Sequence, residues 1–326
     1  MSQRMILSGV LFAWLCCLAL SGAQAHEACG KRTGDQVWLF NTRGLGCSGV
    51  TEALPDYRVE YFAQNAWYPS DAAAFFKEDN PAQSTVVFIH GNRFSHGDAI
   101  ESGWQAYHTL TRCLPPEQHI RFVIWSWPSD KVRGQIRDVR AKSCRTYVEG
   151  YYLARLMTKI DPQVPTGLVG YSFGSRVALG AAHLAGGGQL DGRVVPDLRK
   201  DAQSSYRIAM LAAGVEDDGL LPGANFQMAM ARTDLLLNFY NSCDPALKRY
   251  RFTDKCTRPT AMGYSGIVGD SSLGPAGARI RERDVAGIIG KTHESYGYLN
   301  SESIMGEIRR EMIGGVIVPA TVAKSE

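Results

Sequence analysis

The 326-residue sequence contains no Cys-x-x-Cys pair among its eight cysteines, which argues against a structural zinc site. Neither sign of charge dominates. The 35 Lys and Arg stand against 32 Asp and Glu, so no long-range field would draw nucleic acid or an acidic surface. Internal repeats are absent. The apolar run Met5 to Leu20 is shorter than the roughly 20 residues that a membrane-spanning helix needs. Two phosphate-binding patterns begin and fail. Gly44-Leu45-Gly46-Cys47-Ser48-Gly49 has the glycine spacing of a dinucleotide-binding turn, but Val50 to Pro55 does not open a helix. Gly290-Lys291-Thr292 lacks the glycine required five residues earlier, where Val285 stands.

What is present begins with a secretory pattern: Arg4, the short apolar run, and Ala23-Gln24-Ala25 before His26. Cleavage is expected after Ala25, with export to the periplasm or medium and no stable membrane anchor afterwards. Neither Cys16 nor Cys17 follows the small residues that lipid attachment requires. Cleavage leaves six cysteines, an even number that an oxidising compartment should pair. Proximity favours Cys29 with Cys47, Cys113 with Cys144 and Cys243 with Cys256, the last closing a short loop beside Asp244. Residues 26–326 are expected to form one domain.

Apolar runs alternate with helical stretches, the signature of an α/β fold with a mostly parallel central sheet. Strands are expected at Gln36 to Phe40, Arg58 to Phe62, Thr85 to Ile89, Phe122 to Trp127, Gly167 to Gly170, Ile208 to Ala213 and Leu235 to Tyr240. Helices are expected at Gln135 to Ile160, Ser175 to Leu184 and Ser301 to Ile313. Lys255 to Ile280, rich in Gly, Ser and Pro, reads as a long excursion between the last strands, covering a pocket. Trp125, Trp127, Tyr151 and Tyr152 fit a packed core better than a binding stripe.

Gly170-Tyr171-Ser172-Phe173-Gly174 matches the nucleophile elbow, in which a serine sits on a sharp turn between a strand and a helix. The apolar run before it and the helical stretch after it supply that setting. A serine nucleophile needs a base and a carboxylate to orient the base, and in this fold they follow in the order Ser, acid, His. Only His183 and His293 follow Ser172. His183 lies about 16 Å along the helix that begins at the serine, from the 1.5 Å rise per residue, which leaves His293. Asp244 emerges from the carboxyl end of a buried-type strand and is the favoured acid. Asp217 and Asp218 stand similarly after the preceding strand, and Asp244 before Pro245 also suits a helix cap. The oxyanion donors are expected from the backbone of Phe173 and of Asn92, the latter in the turn after an apolar strand. His90 in that turn reads as structural.

The series Val86-Val87-Phe88-Ile89-His90-Gly91-Asn92, Trp125-Ser126-Trp127-Pro128-Ser129, the elbow, and His293 with Tyr296 resembles a bacterial family of α/β-hydrolases of unknown function, over roughly residues 35 to 306. The resemblance implies the α/β-hydrolase fold, helices on both faces of the sheet, and the triad Ser172, Asp244 and His293. It implies no substrate. Thr42-Arg43-Gly44-Leu45-Gly46-Cys47 also looks like a family element, without a chemical role. The expected function is an exported serine hydrolase of small or lipid-like acyl substrates, without a cofactor. A binding protein on the same core and a serine peptidase are the alternatives.

Overall fold

Seven apolar runs form strands, and two further strands complete a sheet of nine: β1 (Gln36–Asn41), β2 (Arg58–Ala63), β3 (Ala66–Ser70), β4 (Ser84–Ile89), β5 (Ile120–Ser126), β6 (Thr166–Tyr171), β7 (Tyr206–Leu211), β8 (Thr233–Tyr240) and β9 (Ile280–Asp284). The computed structural model describes residues 30–47, 53–196, 198, 205–252 and 257–313. The expected signal segment, Cys29 and Cys256 lie outside the described residues. The strand order is β3-β2-β1-β5-β4-β6-β7-β8-β9. Among the nine described strands, only the β1–β2 and β2–β3 pairings are antiparallel. Every residue of β4, β5 and β6 is buried, as expected of parallel strands covered on both faces.

The two additional strands are both edges, which explains their weak signal. β3 returns from β2 through Gln64 and Asn65, whose φ values of 48° and 59° are those of a turn usually built from Asn-Gly. Pro69 within β3 is tolerated because an edge strand need not donate on both sides. β9 reads Ile-Arg-Glu-Arg-Asp, and its charge suits an edge exposed to water.

The helices are α1 (Ala72–Lys77), α2 (His96–Thr111), α3 (Gln135–Met157), α4 (Phe173–Ala185), α5 (Met262–Ser265), α6 (Ala286–Ile289), α7 (Ser295–Asn300) and α8 (Glu302–Met312). α2 opens on a capping box in which Ser95 and Asp98 each bond the other's backbone N–H. Its buried face, including Ala99, Gly103 and Ala106, is too poor in large apolar residues to show a clear period. α3 stops at Met157, one turn before the expected Ile160.

The helices lie in two layers. α2 packs with α7 and α8, and α3 packs with α4. Neighbouring residues of β5 separate the layers, since successive side chains point to opposite faces. Gly103 of α2 lies against Ile124, whereas Trp125 donates from Nε1 to Glu149 of α3 at 3.3 Å. Trp125, Trp127, Tyr151 and Tyr152 are all buried.

This layering corrects one expectation. Cys113 follows α2 and Cys144 sits on α3, so two cysteines close in sequence belong to opposite faces. Both are free. A bridge needs Cα atoms within about 7 Å.

The order also marks a crevice. β5 lies on one side of β4 and β6 on the other, so the chain leaves the carboxyl ends of these neighbours in opposite directions. Such a switch point opens a cleft where ligands bind in parallel α/β sheets.

Candidate active site

At that switch point the chain turns sharply between β6 and α4, with Ser172 at φ 53° and ψ −116°. This backbone is unfavourable for a residue with a Cβ and is held by its surroundings. Ser172 N–H donates to Leu211 O at 2.8 Å, and its carbonyl accepts from the N–H groups of Ser175 and Gly214, each at 3.1 Å. The flanking glycines are there for closeness. A Cβ on Gly174 would stand 2.0 Å from Ile89 O, and one on Gly170 would stand 2.6 Å from Ser175 Cα. No larger residue lets β4, β6 and α4 meet this closely.

The structure brings together the three residues expected as a triad. Ser172 Oγ lies 3.0 Å from His293 Nε2, and His293 Nδ1 lies 2.6 Å from Asp244 Oδ2. The capping role considered for Asp244 is also present, on its other oxygen. Asp244 Oδ1 accepts from the N–H groups of Ala246 at 2.8 Å and Leu247 at 3.0 Å. Asp244 is fully buried. Asp217 instead faces the 257–268 segment, where its N–H donates to Thr260 O and its carboxylate accepts from Ser265 Oγ at 3.4 Å. Burial, then the neighbouring Asp218, raises its pKa. His183 bonds Gln189 O and Met228 N–H, away from the serine.

Two residues that the sequence did not single out hold the histidine loop. Asn241 Nδ2 donates to Gly290 O at 2.9 Å and to Thr292 O at 3.2 Å, binding the turn after β8 to the segment that carries His293. Tyr171, inside the elbow, donates its hydroxyl to His293 O. Burial keeps that phenol well above its ordinary pKa, so it stays a donor.

Opposite the histidine lies the turn 90–94. A Cβ on Gly91 would lie 2.9 Å from the Tyr171 ring and 3.2 Å from Ser172 Cβ, so the turn passes close to the nucleophile. Among the described residues, the backbone N–H groups of Asn92 and Phe173 have no acceptor. The Asn92 side chain points elsewhere, its Nδ2 donating to Asp138 Oδ2 at 2.9 Å. Asp138 is fully buried in the first turn of α3, where its Oδ1 also accepts from Val132 N–H at 2.9 Å. No sequence signal marked it beyond its acidic type.

The Trp-Pro-Ser element supports the same turn. Ser129 O accepts from Arg93 N–H at 2.7 Å, and Ser129 Oγ donates to Phe94 O at 3.0 Å. Trp127 Nε1 donates to His90 O at 2.8 Å, and its ring stacks on the His90 ring at an interplanar angle of 8°. His90 is structural, as expected. Its Nδ1 donates to Gly91 O and its Nε2 accepts from Trp127 N–H, while burial pushes its pKa down to about 3.

A cavity of about 410 Å³ opens above Ser172 and His293. Val139, Phe173, Leu247, Tyr250 and Phe252 give it apolar walls, and Arg93 and Arg249 stand exposed at its margin. The excursion 257–280 was expected to cover it and does not. The wall comes from residues 246–252, just after Asp244, while the excursion packs on the ends of β7 and β8 through Gly263. Among the described residues no group of three metal-ligating side chains converges.

No family model matches the sequence, and no curated protein matches it. Among solved structures, a thermophilic esterase from the planctomycete Thermogutta terrifontis, with butyrate bound, is similar at 10% identity and a TM-score of 0.37. That likeness covers 74% of this chain and 88% of the esterase, and it says nothing of this chain's activity. The fold is a nine-stranded, mostly parallel sheet with helices on both faces, and the strand–turn–helix at Ser172 is the setting in which an α/β-hydrolase fold carries its nucleophile.

Proposed function

We propose that this protein is a serine hydrolase of small acyl esters, and that its first 25 residues direct it out of the cytoplasm. The observation that carries the reading is the unbroken chain Ser172 Oγ, His293, Asp244, facing two backbone N–H groups without acceptors. Ser172 Oγ attacks the ester carbonyl while His293 Nε2 takes its proton. Asp244 holds the proton of His293 on Nδ1, so that Nε2 is the basic nitrogen, and offsets the imidazolium that forms. The negative charge on the carbonyl oxygen is met by Asn92 N–H and Phe173 N–H, the latter at the positive end of α4. Collapse expels the alcohol, which leaves with the proton from His293. Water then attacks the acyl-serine by the same route and restores Ser172. The scheme uses no metal or cofactor, and the cavity volume fits a short acyl group with its alcohol.

The test is labelling by a fluorophosphonate probe, with hydrolysis of a series of p-nitrophenyl esters measured alongside. The wild type should label, and Ser172→Ala and His293→Ala should lose ester hydrolysis by a factor of at least about ten-thousand. A folded wild type that neither labels nor hydrolyses any ester would favour a binding protein on this core.

A further inference from the structure

The segment Thr42 to Cys47 has no place in the reaction just described, yet its side chains run to the turn that carries Asn92. Arg43 is almost covered, with its side chain 13% exposed, and all its guanidinium nitrogens are engaged. Nε donates to Ser126 Oγ at 2.9 Å, Nη1 to Asp130 Oδ2 at 2.6 Å, and Nη2 to Phe94 O at 3.0 Å. Phe94 O is also the acceptor for Ser129 Oγ, so two donors from two different loops close on one carbonyl. That carbonyl stands two residues beyond Asn92. Between them Arg93 is held at φ 70°, a left-handed conformation that costs a non-glycine residue about 1 kcal/mol or more and relaxes unless its neighbours fix it. Thr42 anchors the base of the segment, its N–H donating to Ser126 O at 3.0 Å and its hydroxyl to the buried Glu149 at 2.7 Å.

We propose that Arg43 is a positioning residue for the oxyanion turn: by clasping Phe94 O it keeps Arg93 left-handed and Asn92 N–H facing the space beside Ser172. The proposal rests on the hydrolase reading for its catalytic consequence and on geometry alone for its effect on the turn. Arg43→Ala should lower kcat by about 10- to 100-fold with KM little changed, the loss expected when an oxyanion donor is misplaced. It should also reduce the preference for an oxoester over the matching thionoester, because sulfur depends less on hydrogen-bond donors. Arg43→Lys, or guanidinium added to Arg43→Ala, should restore part of the rate. Hydrogen exchange gives a readout independent of activity: residues 91–95 should exchange faster in Arg43→Ala while the strands stay protected. If the wild type proves inactive but the turn loosens, the hydrolase reading fails and the clasp stands. Unchanged exchange at residues 91–95, or an unchanged kcat and oxo-to-thiono ratio in an active enzyme, overturns the proposal.

The far end of the same segment carries a second, independent inference. Cys47 Sγ accepts from Arg145 Nη1 at 3.5 Å, Arg145 also donates to Gly46 O and Leu45 O, and Cys144 is its neighbour on α3. Cys47 and Cys144 are both exposed and free and line one surface cavity of about 470 Å³ with Arg43 and Lys142. The alternative partner, Cys29, lies outside the described residues. The structure assigns Cys47 and Cys144 as a disulfide pair that fastens the segment to α3. One cysteine sulfur attacks an external disulfide and releases one thiol. The other cysteine sulfur then attacks the mixed disulfide and releases the second, so the two cysteine protons pass to the two thiols and the external disulfide is the oxidant.

Non-reducing tryptic mapping of the full chain, isolated from an oxidising compartment, tests this. The expected product joins peptide 44–58 to peptide 143–145, and Cys47→Ser should free Cys144 for alkylation. A Cys29–Cys47 peptide, or alkylation of both Cys47 and Cys144 without reduction, overturns it.

Discussion

The two sides of the Ser172 cleft are built differently. On one side the groups proposed to react are side chains: His293 and Asp244 arrive on two late loops joined by a few bonds from Asn241 and Tyr171. On the other side the proposed donors are backbone amides, and the side chains of His90, Trp127, Ser129, Asp138 and Arg43 hold the turn in place. Groups that exchange protons need defined side-chain types, whereas a backbone donor asks only for a fixed shape, which many residue types can enforce. The first side should therefore fail abruptly on substitution and the second by degrees.

The sharpest contrast should come from Asp244. Asp244→Asn keeps an oxygen to accept from Ala246 and Leu247 but disfavours the histidine tautomer, so kcat should fall by about a thousand- to ten-thousandfold with KM nearly unchanged. Asp244→Ala also releases the cavity wall, so KM should rise as well. Equal KM values for the two variants would mean that the second oxygen has no part in shaping the cavity.

Asn92 comes next. Asn92→Ala removes a side chain that turns away from the serine and should cost about tenfold or less, whereas Asn92→Pro removes the N–H and should cost about a hundred- to a thousandfold. Steady-state kinetics on one ester, with circular dichroism to check folding, distinguishes them. Similar losses for both would move the donor to another group.

The last effect is on stability rather than rate. His90 stays neutral in the folded protein, with its pKa lowered to about 3, whereas the unfolded chain protonates near 6.5. The unfolded state alone gains this proton as pH falls from about 6.5 toward 3, so stability is full above that window and declines through it, by up to about 1.4 kcal/mol per pH unit. Thermal melts from pH 7 to 4 should show a steeper decline for the wild type than for His90→Phe. Parallel curves would mean that the ring is charged in the folded state.

The same division governs what could be read from sequence. The seven expected strands, the elbow and the convergence of Ser172, His293 and Asp244 were legible because burial on two faces demands continuous apolar runs and the fold orders its triad. Asn241 and Asp138 were not, since an asparagine after a strand and an acid in a first helical turn are ordinary surface choices until tertiary contacts give them partners. The edge strands β3 and β9 carry little apolar signal because one side of each meets water. Nearness in sequence misled for Cys113 and Cys144, which a crossover connection sends to opposite layers.

Asp244 divides its two oxygens between His293 and the backbone of Ala246 and Leu247, the start of the cavity wall. In the proposed hydrolase, chemistry and substrate shape are thereby tied to one residue. An enzyme that took its acid from the strand before, at Asp217 or Asp218, would leave the wall without its cap, so a change of acid would also be a change of diet.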